Sequence, residues 1–126
     1  MNLNKRPTTT ERDLQADLVK WLKALSRDIT VLKINVTAGV PQGFPDLLVL
    51  HNGGFIAIEL KKSNEAQYRP NQQYYLTRFN RMRHGNAFVY MPETSDFVKN
   101  RIKSIIRQGR KLSALNPEHN RNPRSS

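Results

Sequence analysis

Asp46, Glu59 and Lys61 are three charges set into the most apolar stretch of this chain. Gly43 to Lys62 reads GFPDLLVLHNGGFIAIELKK. It holds two short apolar runs, Asp46 to Leu50 and Phe55 to Leu60, joined by His51-Asn52-Gly53-Gly54. Asn-Gly between apolar runs signals a tight hairpin, because the turn needs positive φ. Both runs are apolar at nearly every position, so both faces should be covered, as in the central strands of an α/β sheet. Asp46 opens the first strand, and Glu59 and Lys61 close the second. Residues two apart on a strand share a face and lie roughly 6–7 Å apart. An antiparallel hairpin therefore brings Asp46 beside Glu59 and Lys61. Two carboxylates and an ammonium at one end of an apolar sheet are costly to bury without a task, and binding a cation is such a task. An ion pair at the strand end, Lys61 with Asp46 or Glu59, is the alternative account, and such pairs add little stability.

The elements that must position these residues follow from the periodicity. Thr8-Thr9-Thr10-Glu11 offers an N-cap threonine with Glu three residues on, the capping-box pattern. The first helix is expected from Thr10 to Leu25, with Leu14, Leu18, Leu22 and Leu25 on one stripe and Val19 and Trp21 on its flanks. Glu11 lies on the line of that stripe, one turn before Leu14, and so faces the sheet; a cap or a complement to the helix dipole is its other reading. Ile29 to Val36 alternates as an outer strand. Thr37 to Phe44 is a Gly/Pro loop, suited to approaching a phosphate or simply to turning. Lys62 to Arg69 is a polar loop next to the proposed site. A second helix is expected from Pro70 to Arg83, with Gln72, Leu76 and Phe79 on one face and Gly85 as its C-cap. Gln72, like Glu11, is a polar residue opening an apolar stripe; a helix-end amide reaching solvent is the alternative. Ala87 to Met91 reads as a short buried strand. A last helix runs from Thr94 or Ser95 to Arg107 and ends at Gly109. The order α-β-β-β-α-β-α closes on a β-α-β crossover, so the sheet should be mixed.

The chain has 126 residues, enough for one domain around one core. Its division is expected as a flexible N-terminus over 1–9, a domain over 10–108 and a disordered basic tail over 109–126. Without cysteine it can form no disulfide, thiolate zinc site or cysteine nucleophile. Neither a secretory leader nor an apolar run of roughly 20 residues is visible, so a cytoplasmic, non-membrane protein is expected. Lys plus Arg is 21 against 10 Asp plus Glu, a net charge of +11. Such an excess favours a nucleic-acid partner over a generic basic surface. His51 falls at the far end of the hairpin from Asp46, and His84 and His119 lie in basic surroundings, which makes histidine catalysis a weaker option.

Pro45-Asp46 followed by Glu59-Leu60-Lys61 resembles the PD-(D/E)XK nuclease motif. With Gly43 before the Pro-Asp, Glu11 in an upstream helix and Gln72 in a downstream one, the pattern is similar to the VRR-NUC branch over Glu11 to Ile106. The resemblance implies a restriction-endonuclease-like αβββαβα core, a mixed central sheet flanked by helices. It also implies a metal site of Glu11, Asp46, Glu59 and the Leu60 carbonyl, holding Mg2+ or Mn2+. Phosphodiester hydrolysis needs a nucleophilic water and neutralisation of developing negative charge, which a hard cation and an ammonium supply. Lys61 would orient the water or stabilise the charge, and Gln72 would position the water or Lys61. By likeness to the VRR-NUC proteins and Holliday-junction resolvases, the expectation is a phage-type homodimeric endonuclease acting on branched DNA. A nicking or restriction-type nuclease on duplex or flap DNA, and a non-catalytic nucleic-acid-binding module, are the alternatives.

Overall fold

The protein is described by a computed structural model covering residues 10–35, 39–63 and 70–115, with side chains as far as Lys111. Its elements are α1 (Glu11–Leu25), β1 (Thr30–Lys33), β2 (Leu47–His51), β3 (Gly54–Leu60), α2 (Gln72–Arg81), β4 (Gly85–Tyr90), a 3-10 turn (Pro92–Thr94) and α3 (Ser95–Leu115). The strands lie in the order β1-β2-β3-β4. The first three are antiparallel and β4 runs parallel to β3, so the sheet is mixed, as the final crossover requires. The apolar runs of β2 and β3 are central because both of their faces are covered.

Alternation on β3 divides the core in two. Ile56, Ile58 and Leu60 point to one face, where they meet Leu14, Leu18 and Leu22 of α1 and Val98, Ile102 and Ile106 of α3. Ala57 points to the other, where Phe79 of α2 and Ala87 of β4 cover it with Phe44, Phe55 and Tyr75 around them. Full burial of a leucine or isoleucine stabilises by about 1.5–3 kcal/mol, so the first cluster carries most of the fold. Its helices read correctly in the sequence because their apolar residues recur at helical spacing. Trp21 on the flank of α1 carries Lys99 and Lys103 of α3 over its ring, at 5.3 and 6.0 Å from the centroid.

Several element ends differ from the expectation. The N-cap of α1 is Thr10, whose Oγ1 accepts from the Asp13 N–H at 3.1 Å. Glu11 is therefore the first helical residue rather than the third, and the Thr8 cap lies outside the described residues. The helix α2 begins at Gln72, not Pro70, because Asn71 adopts a left-handed conformation (φ 70°) that no helix continues. The hairpin turn is the expected two-residue Asn52-Gly53, with His51 paired to Gly54. Its positive φ falls on Gly54 (149°) instead of Asn52. The last helix does not stop at Gly109 but continues to Leu115. That glycine is a contact, not a cap: a Cβ there would lie 2.8 Å from the Gly53 nitrogen, so only two glycines let α3 cross the hairpin turn this closely. Of the tail expected to be disordered over 109–126, residues 109–115 are instead helix. Residues 1–9, 36–38, 64–69 and 116–126 lie outside the described residues, and with them the expected N-terminus, the rest of the tail, the end of the first strand, the start of the Gly/Pro loop and most of the polar loop after Lys62. No described helix is long and apolar enough to cross a membrane.

Candidate active site

The same alternation that sends Ile58 and Leu60 into the larger core sends Glu59 to the α2 face. On β2, Leu47 pairs with Ile58, so the next pair outward sets Asp46 against Glu59. The backbone holds Asp46 there from two sides. Its carbonyl accepts from the Ile34 N–H at 2.8 Å, extending the β1–β2 ladder past Lys33. Its Oδ2 accepts from the Leu60 N–H at 2.8 Å. Strand β2 has no further residue to offer Leu60, and the Asp46 carboxylate takes the place of that missing partner. The Lys61 N–H donates to the Tyr90 carbonyl at 3.0 Å, so the end of β3 is fixed on its β4 side too.

Glu59, Lys61 and Gln72 are buried, with 3%, 5% and 4% of their surface exposed, although all three are polar. Gln72 joins the other two. Its Oε1 accepts from Lys61 Nζ at 2.8 Å, and its Nε2 donates to both Glu59 oxygens at 3.0 and 3.1 Å. One amide thus fixes an ammonium and a carboxylate relative to each other. Burial, reinforced by a hydrogen bond to Asp46 and by the Asp46 charge, pushes the Glu59 carboxyl up to about 9. The Lys61 charge pulls it down, and Glu11 adds a smaller push upward. Two adjacent carboxyls in a hydrogen bond share a proton, so with no cation bound Glu59 is protonated at neutral pH and leans on Asp46.

Two further features hold Gln72 in place. The loop before Asp46 rests on the start of α2, with Gly43 at φ 87°. A Cβ at Gly43 would lie 2.5 Å from the Pro70 carbonyl oxygen, so glycine is required there on two counts. Phe44 then packs on Tyr75 and Phe79 of α2, with centroids 5.7 and 5.3 Å apart. Asn80 of α2 binds the open edge of β4: its Oδ1 accepts from the Ala87 N–H at 2.7 Å and its Nδ2 donates to the Ala87 carbonyl at 3.1 Å. Sequence reasoning missed Phe44 and Asn80. The one cue for Asn80 is a polar residue beside the buried Phe79, which many solvent-facing positions share.

The structure thus gathers Asp46, Glu59, Lys61 and Gln72. Glu11 stands apart, exposed in the first turn of α1, within electrostatic reach of Glu59. Among the described residues no group of three His, Cys, Asp or Glu side chains is close enough to hold a metal ion. Asp46 and Glu59 still suit a hard cation: they are oxygen donors whose mutual repulsion is relieved at present by a proton, and a carboxylate has about four lone-pair sites, so those accepting from Gln72 and Leu60 leave others. Leu60 turns its side chain into the core. Asp46, Glu59, Gln72, Gly43 and Phe44 line a cavity of about 130 Å³. His51 and His84 lie at the other end of β3, far from this cluster, and His119 lies outside the described residues.

The architecture is that of restriction-endonuclease-like domains. A structure described as a VRR_NUC domain protein superposes with a TM-score of 0.57 at 22% identity, over 85% of this chain and 93% of that one. Hjc, a Holliday junction resolvase from Archaeoglobus fulgidus, is similar over 65% of either chain, at 24% identity and a TM-score of 0.41. No protein-family model matches the sequence, and no curated protein matches it. The chain therefore has the fold of a VRR_NUC domain, the fold expected from the resemblance of its Pro-Asp and Glu-Leu-Lys residues to that family.

Proposed function

We propose that this chain is a metal-dependent DNA endonuclease, acting on branched DNA as a homodimer. The observation that carries the reading is the buried Glu59–Gln72–Lys61 bridge set against Asp46, on the fold of a VRR_NUC domain. The preference for branched DNA and the dimer rest on the resemblance of the motif to VRR-NUC proteins and resolvases. A net charge of +11 on 126 residues supports a polyanionic substrate held through its phosphates.

Asp46 and Glu59 would hold Mg2+ or Mn2+, with the Leu60 carbonyl beside them and Glu11 contributing its charge from α1. Such an ion makes water nucleophilic at neutral pH and neutralises charge on the phosphate. The residues of the chain do the rest. With such an ion held, Glu59 would release its proton to solvent, and Asp46 and Glu59 would offer it a dianionic seat. Lys61 presents its ammonium to the phosphate oxygens as negative charge grows in the transition state. Gln72 positions Lys61 by accepting one of its N–H bonds. Burial of Lys61 keeps the ammonium poorly solvated, which strengthens its attraction to the phosphate.

Cleavage of a labelled four-way junction and its matching linear duplex, with magnesium, manganese or EDTA, tests this directly. Metal-dependent paired cuts in the junction are expected, and Asp46→Ala should abolish them while leaving DNA binding in EDTA intact. Cleavage of both substrates alike would keep the nuclease and remove the branch selectivity. Binding without cleavage in either metal would leave a nucleic-acid-binding module.

A further inference from the structure

Gln72 and Phe79 mark the buried side of α2, and the opposite side of the same helix is left to solvent. At roughly 3.6 residues per turn, Gln73, Tyr74, Thr77, Arg78 and Arg81 fall within one stripe turned away from the sheet. All five are exposed, and together they line a cavity of about 450 Å³. Tyr74 is the unusual member. It leaves 56% of its surface exposed, a large aromatic that the core does not use. Its ring is nonetheless held. Arg78 Nη1 donates to its Oη at 3.2 Å, and the Tyr75 ring stands edge-on to it, with centroids 5.0 Å apart and planes at 77°. Tyr75 in turn packs on Phe44 and Phe79. A tyrosine fixed in this way offers a flat ring at small entropic cost. Arg81 lies one turn beyond Arg78, roughly 5–6 Å away between Cβ atoms, so the ring and both guanidinium groups follow one row. The helix carries no Asp or Glu, and neither arginine pairs with a carboxylate among the described residues. A protein interface is built round an apolar centre, and this row has a single ring among donors. An unpaired nucleic-acid strand complements it better, with phosphates for the arginines and the flat face of a base for the ring. Bases within a duplex keep their faces stacked on each other and present none to Tyr74.

We propose that the outer face of α2 binds an unpaired DNA strand, with one base stacked on Tyr74 and neighbouring phosphates on Arg78 and Arg81. The choice of DNA rests on the nuclease reading; the stacking and the phosphate contacts do not. Gln72 opens this helix beside Glu59, so a strand leaving that cluster has only to round a helix of roughly 10–12 Å diameter to meet Tyr74. The substrate is then branched DNA with unpaired nucleotides beside the cut, rather than a junction paired throughout.

Fluorescence anisotropy of the full chain in EDTA tests it, with labelled oligothymidylate, a blunt duplex of the same length and oligouridylate as probes. Oligothymidylate is expected to bind saturably. Tyr74→Ala should weaken that binding about five- to 150-fold, the equivalent of roughly 1–3 kcal/mol for one stacked base, and leave its salt dependence unchanged. Duplex affinity should change by less than about twofold in the same variant, since no base there is free to stack. Tyr74→Phe keeps the ring and should bind the strand within about threefold of the unaltered protein. The Arg78→Ala, Arg81→Ala double variant should flatten the slope of log affinity against log salt by about 1.4, from roughly 0.7 for each phosphate contact. All three side chains are exposed, and an unchanged melting temperature would show that the variants fold. Binding is read without metal, so a protein that cuts no DNA still passes or fails this test, and a failure here leaves the nuclease reading standing. Equal strand affinity in Tyr74→Ala, an equal loss on the duplex, an unchanged salt slope in the double variant, or no saturable binding of oligothymidylate overturns the proposal. Tighter binding of oligouridylate, lost in Tyr74→Ala, overturns the choice of DNA.

Discussion

Glu59→Gln should make the metal-free protein more stable above neutral pH, although it removes a residue placed at the centre of the site. Glu59 has its carboxyl raised from 4.5 to about 9, chiefly by burial and then by Asp46. In the unfolded chain the same group ionises near its ordinary value. A raised folded value means that the contribution of this proton to stability is complete below about 4.5 and is lost as the pH rises toward 9. At pH 7 the loss is about 3 kcal/mol, from 2.5 units at 1.36 kcal/mol each. That is a substantial fraction of the roughly 5–15 kcal/mol that holds a domain folded. Glutamine matches the protonated acid in shape, can donate to Asp46 as the shared proton does, and does not titrate. Urea unfolding in EDTA at steps from pH 5 to 9 is the assay. Wild-type stability should fall across this range, and the variant should fall less, with the gap widening toward high pH. Magnesium or manganese should restore stability to the wild type above pH 7 and do little for the variant. Parallel pH profiles for the two proteins would refute the reasoning, because they would show that Glu59 is ionised at no special cost.

Gln72→Ala leaves Lys61 and Glu59 each short of a hydrogen bond in a buried place, so a loss of about 1–3 kcal/mol is expected in thermal or urea unfolding. If Gln72 positions Lys61 for the reaction, kcat should drop more than KM changes, and Gln72→Glu should not restore it, since a carboxylate beside Glu59 adds repulsion. An unchanged kcat would reduce Gln72 to a structural bridge. Gly43→Ala combines a left-handed φ of 87° with a Cβ set 2.5 Å from the Pro70 carbonyl oxygen, and should destabilise by about 1–3 kcal/mol while displacing the start of α2. A melting temperature equal to wild type would show that the loop does not rest on α2 as described.

How much of this was legible in the sequence depends on which force set each feature. The β2–β3 pairing and the facing of Asp46 and Glu59 follow from period-two alternation and a two-residue turn, both local signals. Leu14, Leu18 and Leu22 announced the buried face of α1 by spacing alone. What local rules missed was decided by tertiary contact. Gly109 carries the composition of a helix stop, yet it sits inside α3 because the helix must pass Gly53 at backbone distance. Pro70 favours a helix start, but Asn71 turns left-handed under Gly43 and moves the start to Gln72. Glu11 was expected to face the sheet because it continues a leucine stripe; at the first position of α1 its side chain is exposed, while its charge still reaches Glu59. His51 reads as an ordinary turn residue, and nothing in the sequence foretells that its Nε2 is buried without a partner.

The buried bridge is a poor investment in stability, and this argues for its use. A rim ion pair would leave Lys61 and Glu59 in water, where both are well solvated and the pair adds little. Here both are drawn below the surface, beside a second carboxylate, so one of the acids must keep its proton at neutral pH. An apolar pair at positions 59 and 61 would extend the Phe55–Ala57 face of β3 under Tyr75 and Phe79 without that cost. The bridge also constrains Gln72, which fixes where α2 begins, and through Gly43 it constrains the loop that carries Asp46. Cost concentrated on four side chains, with the surrounding backbone shaped to hold them, is the pattern expected where a charge must be ready for a ligand before the ligand arrives.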